Sequence, residues 1–347
     1  MKKALIALAV LGLTGGAAVA QSSVTLFGVI DVNMRYTKSS GNTLKQLSTD
    51  GLNSSRLGVR GTEDLGGGLK AGFWLESRVN ADNGTVDGSK FWGRRASVSL
   101  MGDFGEVRLG RGKTSTRLHI DDFDPYSTTG LGDVEKVYSV LGSGSLTLNR
   151  ADNMVQYFLP STLGGFYGSV DVAAGEGTVG AKAMGGRLGY KTGPINVAAA
   201  YQTTTGVGND KFKQLSIGGS YDFGFVKPSL NYSQNEFGSR EQKLLTVGLT
   251  APLGQQGQIL ASYTDAKVNA AGAGSNAVAS STSPVATDDA KLFAISYVHN
   301  LSKRTALYTT YSQIENNGVG RFAVAGSPSV AAGQKSSGFD VGVRHSF

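Results

Sequence analysis

The side chains best placed to do chemistry in this sequence are arginines. Arg56 and Arg60 lie four residues apart, and in an extended chain with period two that spacing puts both on one face. Arg78, Arg95 and Arg150 are further candidates from neighbouring segments, and Arg35 and Lys70 extend the series. A guanidinium keeps its charge at any relevant pH and is weakly hydrated, so a wall of them attracts anions without holding them fast. Opposing charge is offered by Asp121, Asp122 and Asp124, with Asp133 and Glu135 beyond them. Two questions stay open in the sequence. Some arginines could pair with Asp31, Glu76 or the later acids and serve only rigidity. A slip of one residue would also exchange Arg94 for Arg95 on the wall.

Other chemistries are poorly supplied. The chain has no cysteine, which excludes a disulfide framework, a thiol nucleophile and any cysteine-ligated metal. His119, His299 and His345 are its three histidines, and none sits in an H-E-x-x-H pattern. No metal and no cofactor are expected, and a hydrolase would be short of bases. Residues 175–180 fit G-x-G-x-x-G, but Gly185-Gly186 follow where a helix would be needed, so the run reads as a glycine-rich loop. Gly112-Lys113-Thr114 resembles the end of a phosphate-binding loop, yet Val107 stands where its first glycine belongs. The charge of +7 together with Trp74 and Trp92 could suggest nucleic acid. A basic interior and interfacial aromatic girdles account for both features, and no nucleic-acid partner is expected.

The elements that must carry these side chains are strands, because the dominant period is two. Over residues 24–36 the even positions read Val24, Leu26, Gly28, Ile30, Val32, Met34 and Tyr36. The odd positions include Thr25, Asp31, Asn33 and Arg35. One face is apolar and the other becomes charged, as a strand between two different solvents requires. The pattern recurs over 69–76, 166–172, 195–202, 215–221, 245–249 and 339–344. Sixteen strands are predicted to start near residues 24, 56, 69, 92, 106, 153, 166, 186, 195, 213, 225, 243, 258, 291, 305 and 338. Long polar links fall near 38–51, 81–90, 113–150, 175–185, 204–211, 268–289 and 316–336, with a shorter one near 235–242. Short turns alternate with them. Eight long ends and seven short ones mark an up-and-down barrel whose rims face different compartments.

The first 20 residues read as a separate unit. Lys2 and Lys3 precede an apolar run over 4–13, and Ala18-Val19-Ala20 forms a small-residue cleavage site. Ten apolar residues fall short of the roughly twenty that span a bilayer as a helix. Residues 1–20 are therefore expected to be a cleaved signal peptide and residues 21–347 one barrel domain, with the formal charge reduced from +7 to +5 by the loss of Lys2 and Lys3. Sixteen tilted strands of about ten residues take roughly half of the mature chain. A soluble β-sandwich would have to bury the charged face in a core, which is too costly for so many charges.

Several segments together resemble the Gram-negative general porin family of the β-proteobacterial and neisserial type. They are residues 23–31, 55–68, 95–112, 149–157 and 300–308, and the closing Arg344-His345-Ser346-Phe347. The resemblance implies a homotrimer of 16-stranded antiparallel transmembrane β-barrels in the outer membrane, each with a long third loop folded into its lumen. The third long link, 113–150, would be that loop. Its acids would face an arginine wall and set a transverse field, with Arg56, Arg95 and Arg150 at the constriction. The implied function is passive diffusion of small hydrophilic solutes with anions favoured, and the implied surroundings are lipid and lipopolysaccharide. The alternatives are a channel specific for an organic acid and, from other classes, a barrel hydrolase or an adhesin.

Overall fold

The computed structural model describes residues 23–86, 90–269 and 289–347. The expected signal peptide lies outside them, as does most of the link near 268–289. Among the described residues one antiparallel sheet closes on itself. Its first strands are β1 (Ser23–Ser39), β2 (Asn42–Thr49 continued by Arg56–Gly66), β3 (Leu69–Asn80), β4 (Arg95–Gly102) and β5 (Gly105–Lys113). Next come β6 (Arg150–Phe158), β7 (Phe166–Ala173), β8 (Ala183–Thr192), β9 (Ile195–Thr205), β10 (Lys211–Tyr221) and β11 (Lys227–Phe237). The circuit ends with β12 (Arg240–Leu253), β13 (Gly257–Val268), β14 (Ala290–Asn300), β15 (Thr305–Asn316) and β16 (Ser336–Ser346). Both parts of β2 pair in succession with β1, and a two-residue strand at Thr85–Val86 only folds back on the end of β3. The result is the expected closed 16-stranded barrel.

Closure depends on the two chain ends. β16 pairs with β1 from Val29↔Ser346 to Ser39↔Ser336. Phe347 then exchanges two backbone hydrogen bonds of 3.0 Å with Gly28. A Cβ on Gly28 would lie 2.4 Å from the Phe347 ring and 2.7 Å from the Arg56 carbonyl, so only glycine fits at this seam. Among the described residues no strand edge is left open to hydrocarbon, where unpaired backbone groups would each cost several kcal/mol.

The alternation sets inside from outside. On β1, Val24 and Met34 are 67% and 70% exposed on the outer face, whereas Asp31 and Asn33 between them are buried in the lumen. A charged side chain on the lipid face would cost about 2–4 kcal/mol at mid-membrane, so this orientation is the only affordable one. One link is shorter than the sequence suggested. The one near 38–51 is a two-residue turn at Ser40 and Gly41, both with positive φ, and β2 begins at Asn42. Its polar residues are those of the hairpin that this segment forms with β1. The interruption at 50–55 is held by Asp31, whose carboxylate accepts from the backbone N–H groups of Gly51, Leu52 and Asn53 at 3.0, 2.9 and 2.7 Å. The strand expected from Trp92 starts at Arg95, with Trp92 stacked edge-on against Phe91 before it.

The long third loop folds into the lumen and brings an apolar core with it. Ile120, Leu131, Val134, Val137 and Tyr138 of the loop pack on Leu244, Ala266, Ala290, Leu292 and Ile314 of the wall. Phe322 and Val324, from the loop between β15 and β16, complete the cluster. The lumen face of β12–β15 is therefore apolar where the loop covers it, while the face of β1–β6 stays charged.

Candidate pore constriction

The third loop is built from local signals and then stapled to the far wall. Thr114 caps α1 (Ser115–Phe123) by accepting from the Arg117 backbone N–H at 3.3 Å. The helix docks through Ser115 to Ser169, His119 to Asn231 and Thr116 to Gln202, at 2.8, 2.9 and 3.0 Å. Farther along, Gln242 accepts from the Ser139 N–H and donates to the Val137 carbonyl. Lumen-facing glycines of the wall act as sockets. A Cβ on Gly218 would lie 2.5 Å from the Phe123 ring, one on Gly248 2.6 Å from Pro125, and one on Gly338 2.6 Å from Leu131. Gly218→Val is accordingly expected to push the loop toward the arginines and lower single-channel conductance; an unchanged conductance would mean that the socket does not set the loop's position.

The opposite wall is cationic. Two chambers meet there. Among the described residues the larger, of ≈ 590 Å³, carries eight lysine and arginine side chains against three carboxylates, Asp50, Asp133 and Glu135. The other, of ≈ 430 Å³, lies toward the short turns and among the described residues carries seven against Glu76. Arg56, Arg94, Lys113 and Arg150 line both chambers and so mark the neck between them. Arg56 donates to the Ser54 carbonyl at 3.2 Å, and Arg150 donates to the Arg94 carbonyl and the Asn149 side chain at 2.8 and 2.9 Å. Neutral acceptors hold the Arg150 guanidinium in place without cancelling its charge. Glu76 is drawn to Arg94 at 2.5 Å and stands 3.9 Å from Arg56, while also accepting from the Trp74 indole at 3.0 Å.

The remaining residues singled out in the sequence fall in distinct places. Arg60 and Arg95 line only the smaller chamber, and Arg35 and Arg78 only the larger. Arg35 is buried on Asp340 at 3.1 Å and Arg78 meets Asp50 at 2.8 Å. Lys70 shares its face with Trp74 and Glu76 but sits exposed near the turn end, on neither chamber. The three loop acids do not stand across the neck from the arginines. Asp121 is held by Lys113 and Arg117. Burial by itself would raise its carboxyl, but those two cations outweigh it and keep the group below the usual carboxylate range. Asp122 pairs with Arg187 of β8 at 2.7 Å. Asp124 accepts from the backbone N–H groups of Tyr126 and Thr128 at 3.1 and 2.8 Å. These three line a separate hollow of ≈ 280 Å³ with Lys227.

Two members of the neck escaped the pattern of alternation. Arg94 precedes β4 instead of lying on it, so parity does not govern it, and both Arg94 and Arg95 reach the lumen. Lys113 has the parity of Leu109, which faces outward. A bulge between Gly110 and Gly112 reverses that parity and sets Lys113 beside Arg150. Gly110 permits the bulge with a φ of 124°, and a Cβ there would meet the Ala96 carbonyl at 2.2 Å. The glycine spacing Gly110-Arg111-Gly112 was the available signal. Among the described residues no cluster of His, Cys, Asp or Glu could hold a metal ion.

Comparison with known proteins agrees with this architecture. A family model described as Gram-negative porin matches residues 7–319. The outer membrane porin protein 32 of Delftia acidovorans is 37% identical, with both chains covered in full. An outer membrane porin protein of Bordetella pertussis is 31% identical over the full length of both. Among solved structures, an anion-selective porin from Comamonas acidovorans superposes with a TM-score of 0.83 at 33% identity, covering 94% of this chain and 100% of that one.

Proposed function

The chain belongs to the Gram-negative porin family, and from that premise we propose that the arginine neck makes this outer-membrane porin favour anions. Family and fold point to a channel and not to an enzyme. Solutes cross passively, limited by the width left between the third loop and the wall, without cofactor or energy input. The observation that carries the reading is the neck itself, where Arg56, Arg94, Lys113 and Arg150 are shared by both chambers. Screening acts over about 8 Å at physiological salt, so an ion in the neck feels these side chains more than the overall charge of the protein. A ladder of cations continues on either side through Arg35, Arg78, Arg60 and Arg95, which spreads the attraction along the path and avoids one deep well. Asp121 serves this wall indirectly, by fixing Lys113 and Arg117, and Asp122 and Asp124 anchor the loop. The reading includes a homotrimer in lipid and lipopolysaccharide, for which a native mass of three chains in mild detergent is the expected result and a mass of one chain would count against it.

Solutes of one size and different charge test the proposal. Proteoliposomes should admit gluconate faster than glucose, and glucose faster than glucosamine. Equal rates for all three would leave size exclusion as the whole mechanism. A saturable site for one organic acid is the second reading, which the mixed apolar and cationic lining of the smaller chamber favours.

A further inference from the structure

Just past the neck the lining changes character. Among the described residues, Ala325 is the one apolar side chain lining the larger chamber. The smaller one combines its cations with Phe27, Val29, Trp74 and Leu118. Trp74 pairs directly with Arg60 across the β2–β3 ladder, and Glu76, next on the same face, pairs with Arg95. The guanidinium carbons of Arg60 and Arg95 lie 5.0 and 4.6 Å from the indole centroid. The Phe27 ring meets the same indole edge-on at 5.0 Å, and Arg60 also lies 5.3 Å from Phe27.

We propose that this chamber is a transit site for planar aromatic carboxylates, with Trp74 as the residue that sets the preference. The inference rests on the anion-passing reading above and names a solute class for it. A guanidinium laid on an aromatic face is held flat, while its N–H edge stays free for a carboxylate. An arene carboxylate matches both parts of that arrangement: its ring stacks among Trp74, Phe27 and the guanidinium planes, and its charged end meets Arg60 or Arg95. Chloride uses the charge alone, and a saturated ring acid offers no π face. The volume of ≈ 430 Å³ lies within the range of small-molecule sites. Glu106, 2.9 Å from Arg108 and 4.0 Å from Arg95, tempers the positive charge, so solutes leave as well as enter.

The test compares benzoate with cyclohexanecarboxylate, which match in charge and nearly in size, as blockers of chloride current in planar bilayers. In the wild-type protein benzoate is expected to half-block at about one tenth of the concentration needed for the saturated acid, the worth of one aromatic contact. Trp74→Phe should keep most of that ratio, and Trp74→Leu should bring it to one while the chloride-over-potassium preference persists. Equal half-blocking in the wild type, or an unchanged ratio in Trp74→Leu, overturns the aromatic site. Loss of chloride preference in the wild type would instead overturn the reading beneath it, so the two failures are distinguishable.

Discussion

Arg56→Glu and Arg150→Glu should each move the zero-current potential in a salt gradient toward the cation side, and together they should reverse it. Both side chains line the two chambers at their junction, so every permeating ion passes them. A unit charge 4 Å away is worth about 1 kcal/mol even at the dielectric constant of water. Exchanging a positive for a negative group therefore changes the energy of a nearby ion by about 2 kcal/mol, with opposite sign for anion and cation. Screening reduces this, and a shift of roughly tenfold in the permeability ratio per residue is the expected scale. Arg60→Glu should act in the same direction but less, because Arg60 lies on the smaller chamber only. The measurement is reversal potential in planar bilayers. Selectivity that stays unchanged in both neck variants would remove these residues from the path.

Replacing Arg117 by Met should raise the mean single-channel conductance and its noise while leaving the barrel intact. Arg117 is buried and bridges Asp121, at 2.8 Å, to Glu135 and Thr128 within the third loop. Removing one member of a buried ion pair leaves charges uncompensated, at a cost of about 3–5 kcal/mol. Here that cost falls on the loop, since the strand ladders do not pass through Arg117. The loop should then sample positions farther from its docked state, and Lys113 should lose the fixed partner it shares through Asp121. Single-channel recording reads the change, and the unfolding temperature in detergent should move little. A steady wild-type current through the variant would show that the remaining staples, such as Gln242 to Val137, hold the loop by themselves.

The strands were largely legible because lipid outside and water inside impose opposite demands on successive residues, and 195–201 or 339–343 can satisfy both only as strands. Legibility ended where that contrast ends. Residues 42–49 carry polar side chains on both faces, so the segment reads as a loop. The bulge at Gly110 reversed parity and concealed Lys113. The far wall departed from the polar-inside rule at Leu244, Leu292 and Ile314 because the third loop, not water, covers it. The partners of the loop acids were also beyond reach of local reading. Asp122 is bound to Arg187, 65 positions away, and no periodicity encodes such a pairing. Arg56 and Arg60 line one chamber because strand spacing alone puts them on the same face.

The sign of one voltage decides whether the neck selects anions. Purified protein is inserted into a planar bilayer of neutral lipid between concentrated and dilute KCl, and the potential at zero current is read. The predicted value has the sign set by chloride crossing faster than potassium. A potential of the potassium sign, with the neck residues unchanged, would contradict the claim that four fixed cations govern the passage.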